Sequence, residues 1–333
     1  MRVVVLGGTR FIGKAIVAEL QAHGHELLLV HRGRTEPPDL AGLDHLHADR
    51  RSLPHLREPL AEFAPHAAVD CTAMNAADAD TALAALAALA ALGAELRLLV
   101  LSSMDVYRAY GAVLAGAVTD AVPLDETSPV RAERHPYRGR LPGHDDYEKL
   151  DYEKLDVEAA YLAAGATVCR LPAVYGEGDY QRREEPLLRR VRAGRPRIPT
   201  GTGNWLWTRG YVGDVAAGVR LALESEATIA EILNLGESRT WSMGLWARHV
   251  LDAAGSDAEL VRVPDVLLPD DLETLGFAAQ HLLVSSAKAR DLLGWEDTDP
   301  HETLARSVRW HLAHPPEAAA TDFSDDDRAL AAR

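Results

Sequence analysis

The segment from Val3 to Leu20 constrains this chain more than any other. An apolar run, Val3-Val4-Val5-Leu6, enters Gly7-Gly8-Thr9-Arg10-Phe11-Ile12-Gly13 and leaves as the amphipathic stretch Lys14-Ala15-Ile16-Val17-Ala18-Glu19-Leu20. This order reads as strand, glycine turn, helix, the opening unit of a parallel α/β sheet. Similar runs recur between helical stretches at Leu27 to Val30, Leu43 to His47, Ala68 to Thr72, Leu98 to Leu101, Thr167 to Leu171 and Ile232 to Leu235. Their near-continuous hydrophobicity is what strands covered on both faces require. The expected fold class is α/β, a doubly wound parallel sheet with a smaller C-terminal domain.

Leu83, Leu86, Leu89 and Leu92, followed by Gly93, predict one crossover helix with a glycine cap. After Leu171 the punctuation by Pro172, Pro186, Pro196, Pro199, Gly201 and Gly203 marks a second domain. With 333 residues, two domains are expected. The first covers 1–176, with 210–236 returning to it, and the second covers 177–209 and 237–314. From Pro315 to Arg333 the adjacent prolines, the alanine run and Asp325-Asp326-Asp327 read as a disordered tail.

Lys and Arg number 35 against 50 Asp and Glu, a formal charge of −15 that makes nucleic acid a poor expectation. The longest apolar stretch, Ala82 to Leu92, is too short to cross a membrane, and the N-terminus has no signal core. Cys71 and Cys169 sit in apolar strand-like runs and read as buried thiols in a reducing cytoplasm.

A glycine turn at a helix N-terminus offers backbone N–H groups to a pyrophosphate, and Gly7 and Gly13 permit the tight turn and close packing. Thr9, Phe11 and Ile12 complete the loop. Arg10 replaces the middle glycine of the usual dinucleotide pattern, and the second strand ends in His31-Arg32-Gly33-Arg34, with no acid for a ribose 2′-hydroxyl. Arg10, Arg32 and Arg34 suit a 2′-phosphate, so NADP is preferred over NAD. Asp49 and Arg50 follow the third strand at the adenine position, and Cys71 and Leu101, at the ends of the fourth and fifth strands, are further candidate cofactor contacts.

These residues, with Leu101-Ser102-Ser103-Met104-Asp105-Val106-Tyr107, Pro123 to Pro129, Arg170 to Asp179, Tyr211-Val212-Gly213-Asp214, Asn234-Leu235-Gly236 and Lys288 to Trp295, resemble the extended branch of the short-chain dehydrogenase/reductase superfamily. The glycine signature is similar to its atypical GGxxxxG subgroup, and the resemblance runs from Val3 to about His311. It implies a Rossmann-type domain, a cleft shared with a substrate domain, a small-molecule substrate and, by analogy, a homodimer. The expected activity is that of an NAD(P)-dependent oxidoreductase of the epimerase/dehydratase type, transferring hydride at a hydroxyl or carbonyl group.

The resemblance also implies a serine, a tyrosine and a lysine as catalytic groups, the lysine lowering the phenol pKa. Ser103 fits the serine. The other two fall in a tandem repeat, Tyr147-Glu148-Lys149-Leu150-Asp151-Tyr152-Glu153-Lys154-Leu155-Asp156. No tyrosine lies four residues before Lys149 or Lys154. Tyr147 and Lys154 would share a helix face two turns apart, roughly 10.5 Å of rise, too far for contact. Tyr147, Tyr152, Lys149 and Lys154 therefore all stand as candidates, with Tyr137 a more distant one.

Ala173 and Trp207 stand where nucleotide-sugar enzymes of this type often carry Asn and Arg, which points to a less charged substrate facing Trp205 and Trp207. No metal is expected, since His45-Leu46-His47 is an alternating pair without a zinc motif. No Gly-x-Ser-x-Gly elbow supports acyl transfer. The competing reading is a non-catalytic protein, either RNA-binding or redox-sensing. The GGTRFIG turn is also similar to that of the chloroplast stem-loop RNA-binding relatives, and the basic stretch Arg182 to Arg197 offers charge for RNA.

Overall fold

The computed structural model describes residues 1–90, 95–138, 151–317 and 321–332. Seven parallel strands form the central sheet: β1 (Arg2–Leu6), β2 (Glu26–His31), β3 (Asp44–His47), β4 (Ala67–Asp70), β5 (Arg97–Ser103), β6 (Thr167–Leu171) and, after three strands that lie elsewhere, β10 (Ile232–Asn234). Their order is β10-β6-β5-β4-β1-β2-β3. Outward from β1 the chain winds in both directions, so the sheet is Rossmann-like.

Side-chain alternation explains the apolar runs. Val3, Val5, Leu27 and Leu29 face the helices Phe11–Ala22 and Val212–Glu224, packing with Ile16, Val17, Leu20, Val215 and Val219. Val4, Leu6, Leu28 and Val30 face the opposite side, where Ala82, Leu86 and Leu89 of the helix Ala76–Ala90 meet them. Both faces are dry, so neither set of positions can be polar. The Gly93 cap expected for that crossover helix lies outside the described residues.

Register places the functional ends together. Leu6 of β1 pairs with Val30 of β2 and with Asp70 of β4, so the Gly7 turn, His31 and Asp70 share one rim of the sheet. Outside this sheet β7 (Ala173–Tyr175) pairs with β9 (Arg209–Tyr211), and β8 (Arg197–Thr200) pairs with β11 (Glu259–Arg262). Cys71 and Cys169 are free thiols. Among the described residues no helix is long and apolar enough to cross a membrane.

The disordered tail expected from composition is corrected in part. Ser324–Ala331 forms a helix in which Asp326 is buried against Arg190 of the helix Glu185–Arg192. The pair is bidentate, at 2.6 and 2.7 Å, and Phe323 packs under the guanidinium groups of Arg189 and Arg195. The Asp-rich run that looked like a solvated tail is the counter-charge of the basic stretch. That accounts for the order: Asp326 neutralises an arginine that would otherwise be buried with fewer carboxylate partners.

Candidate functional site

The cleft opens at the carboxyl ends of the central strands and measures about 960 Å³. At its base, Gly7 turns at φ +88°, and a Cβ there would stand 2.1 Å from Thr72 Cγ2. A Cβ on Gly13 would lie 2.4 Å from the Gly7 carbonyl oxygen, so only glycine lets the helix start this close to the turn. No side chain caps this helix and its first turn holds no acid, leaving its N–H groups facing the cleft for an anion. Phe11 holds φ +37°, a strained value for a side-chain-bearing residue. Tyr180 covers this turn, edge-on to Phe11 and beneath the Arg10 guanidinium at 4.9 Å.

All the expected cofactor contacts line this cleft: Gly7, Thr9, Arg10, Phe11, Ile12, Gly13, Arg32, Arg34, Asp49, Arg50, Cys71 and Leu101. Arg50 has a structural engagement as well. It pairs with Asp70 and donates to Thr72 Oγ1 at 2.9 Å and to the Asp78 carbonyl at 2.8 Å. Asp70 also accepts the amides of Thr72 and Ala73 and the hydroxyl of Tyr161. Burial pushes the Asp70 carboxyl up, but Arg50, Tyr161 and the Thr72 amide together hold it below its ordinary value. Asp49 accepts the Arg51 amide at 3.0 Å, capping the turn that follows β3.

Ser103, the last residue of β5, lines the same cleft with Tyr152 and Lys154. Lys154 is the first residue of the helix Lys154–Ala163, and its ammonium donates to the carbonyls of Ala73 and Leu101, the latter at 3.0 Å. Burial lowers its pKa, opposed by Asp70 and Asp105. Tyr152 lies before the helix. Glu153 holds the boundary by accepting from Arg131, from the His135 amide and from the Leu155 amide, while its own amide donates to the Met74 carbonyl.

Non-helical backbone at Glu153, φ −154° and ψ 88°, brings residues two apart to one site, with Lys154 Nζ 5.8 Å from the centroid of the Tyr152 ring. Helical spacing therefore does not govern them. Tyr147 and Lys149 lie outside the described residues.

Sequence reasoning missed Asp105. The Tyr152 hydroxyl donates to its Oδ2 at 2.7 Å, and the Tyr137 hydroxyl sits 2.8 Å from the same atom and 3.0 Å from the Tyr110 hydroxyl. Burial raises the Asp105 carboxyl, and burial together with the Asp105 charge raises the Tyr152 phenol well above its ordinary value. Asp105 stood within the quoted strand-end motif, but a motif does not reveal which tyrosines will reach it. Ser102 was missed likewise: it donates to Glu158 at 2.6 Å, and Glu158 forms a buried pair with Arg170.

Trp205 and Trp207 stack on each other at 4.8 Å and pack beside Met104, Val106 and Tyr107. The basic stretch is largely consumed by carboxylates: Arg183 by Asp179, Arg189 and Arg190 by Asp271, Arg192 by Glu185, and Arg195 by Asp327.

A model of the NAD dependent epimerase/dehydratase family matches residues 3–236. The chain belongs to this family. Solved structures similar to this epimerase/dehydratase family member include a UDP-glucose-4-epimerase from Stenotrophomonas maltophila with bound NAD and formylated UDP-arabinopyranose. That structure is 20% identical, with a TM-score of 0.70 and coverage of 94% of this chain and 98% of that one. A dTDP-glucose 4,6-dehydratase from Bacillus anthracis in complex with NAD is 16% identical, with a TM-score of 0.68 and coverage of 95% and 97%. These two likenesses show the fold. The chloroplast stem-loop binding protein of 41 kDa b from Arabidopsis thaliana is 24% identical over 345 residues, 99% of this chain and 84% of the relative.

Proposed function

We propose that this family member is an NAD(P)-dependent enzyme of the epimerase/dehydratase type, acting on a hydroxyl or carbonyl group of a small molecule. The observation that carries the reading is the meeting of Ser103, Tyr152 and Lys154 in the cleft onto which the uncapped Gly7–Gly13 turn opens. The glycine cradle, in which a Cβ would collide, fits a dinucleotide pyrophosphate. When bound, the nicotinamide supplies the hydride donor or acceptor.

Ser103 hydrogen-bonds the reacting oxygen. Burial and Asp105 both raise the Tyr152 pKa, so the phenol is protonated at neutral pH, the form from which a proton can pass to a carbonyl oxygen. Burial raises the Asp105 carboxyl, and when protonated it lies where it can replace the proton that the phenol gives up. Lys154 braces the ends of β4 and β5 through two carbonyls and presents the positive charge of the site.

Arg10, Arg32 and Arg34 line the adenosine end and favour NADP over NAD. Titration of NADPH and NADH by intrinsic fluorescence, on the wild type and on Arg32→Ala, tests this. NADPH binding is expected to be the tighter and to weaken about ten-fold or more in the variant. Binding of neither cofactor by folded protein would remove the enzyme reading.

A second reading rests on the stem-loop binding relative, whose likeness spans nearly the whole chain. Against it, the arginines that offered charge for RNA are paired internally. RNA binding that falls steeply with salt would restore it.

A further inference from the structure

Three imidazoles and a carboxylate meet at the free edge of the sheet, apart from the Ser103 centre. His31 ends β2 and pairs in register with His47 of β3, while His45, two residues earlier, shares the face of His47. The loop after His31 returns Glu36 to the group. Each of the four residues offers one nitrogen or oxygen, and these atoms all lie within 4.8 Å of one another. His31 Nε2 is 2.7 Å from His45 Nδ1, and Glu36 Oε2 is 3.1 Å from His47 Nε2. A tetrahedral ion with bonds of about 2.0–2.1 Å spaces its ligands by about 3.3 Å, inside the range these groups span.

We propose that His31, His45, His47 and Glu36 form a binding site for a divalent transition ion of the zinc class. The ligand chemistry selects the ion: imidazole nitrogens with one carboxylate suit zinc, copper or nickel, whereas magnesium and calcium require oxygen. His31 is buried and His45 half-buried, while His47 and Glu36 are exposed and give the ion its entry. The His45 Nε2 group lies 2.9 Å from the Leu40 carbonyl, an outer contact that fixes the tautomer and leaves Nδ1 with a lone pair for the ion.

Without an ion, the hydrogen bonds form one directed chain. The Gly33 amide donates to His31 Nδ1, His31 Nε2 donates to His45 Nδ1, and His45 Nε2 donates to Leu40. The ion takes the place of the proton between His31 and His45. That proton moves to His31 Nδ1, keeping the ring neutral, and the Gly33 contact at 3.1 Å opens. Gly33, at φ +71°, sits at the head of the loop that carries Arg34 and Glu36. Metal binding thus bears on the position of that loop, and its test needs no cofactor.

The test uses the full chain, stripped with chelator and dialysed against zinc chloride, with bound metal counted by mass spectrometry and melting followed by circular dichroism. About one retained zinc per chain and a raised melting temperature are expected. His47→Gln and Glu36→Gln, both at the open side, should weaken zinc at least about ten-fold while the metal-free melting curve stays as in the wild type. A control pair, His249→Gln with His301→Gln, removes another imidazole contact, 4.4 Å between rings, and should keep the zinc. No retained zinc, or retention unchanged in His47→Gln and Glu36→Gln, overturns the proposal. Magnesium binding equal to that of zinc also overturns it.

Discussion

The Tyr152 hydroxyl donates to Asp105 Oδ2 across 2.7 Å, so the phenol that shares the cleft with Ser103 is held by a carboxylate and not by an ammonium. Lys154 instead spends its hydrogen bonds on two main-chain carbonyls. A negative partner raises the phenol pKa and keeps the phenol protonated.

It follows that Tyr152→Phe should lower kcat by about 10²- to 10⁴-fold while leaving cofactor affinity in place. Asp105→Asn removes the charge that helps keep the phenol protonated, so the Tyr152 pKa should fall. The alkaline limb of a reduction rate profile should then move to lower pH. A pH–rate profile of Asp105→Asn that superimposes on that of the wild type would show that the carboxylate does not act on the phenol.

At the floor of the cleft, the pairing of Asp70 with Arg50 predicts a pH-dependent stability. The folded carboxyl titrates below its unfolded value of about 3.9. Its contribution is therefore present above that value and is lost as pH falls through the folded one. Asp70→Asn should cost about 3–5 kcal/mol at neutral pH, the range for breaking a buried pair, and progressively less on acidification. Urea unfolding of both proteins at several values between pH 3 and pH 7 reads the difference. A constant gap across the series would count against this assignment.

Gly7→Ala should damage both fold and binding. The backbone at φ +88° costs a side-chain-bearing residue about 1–3 kcal/mol, and the new methyl group overlaps Thr72. A lowered melting temperature together with weakened dinucleotide binding is expected. Thr72→Ser removes the Cγ2 with which that methyl collides, and the double variant should recover part of the loss.

For the C-terminal helix, Asp326→Ala should destabilise the protein by about 3 kcal/mol or more, because Arg190 stays buried with one partner fewer. Limited proteolysis should then cut within the 321–332 segment, which is expected to resist it in the wild type. Equal protease resistance in the two proteins would mean that the pair does not hold the helix.

Sheet and cofactor turn were legible because their causes are local. Val3 to Leu6 must be apolar throughout when both faces are covered, and Gly7 and Gly13 must be glycine where a Cβ would collide with Thr72 or with the Gly7 carbonyl. The Tyr–Lys centre was not, since helix spacing assumes that the helix includes both residues, and this helix begins only after Glu153, between them. Nor could composition place Asp326, whose partner Arg190 is 136 residues away. The same holds for His31 and His45, which only strand pairing brings within 2.7 Å.

That distance along the chain also sets an order of events during synthesis. As Arg190 leaves the ribosome, both carboxylates that will neutralise it, Asp271 and Asp326, are still untranslated. The first sheet strands can pair while the chain grows, but the lobe built around Glu185–Arg192 cannot bury its arginine until the last helix has emerged. Translation thus leaves that lobe incomplete until Asp326 arrives, and a chain halted before Asp326 would carry an unclosed basic helix to the chaperones.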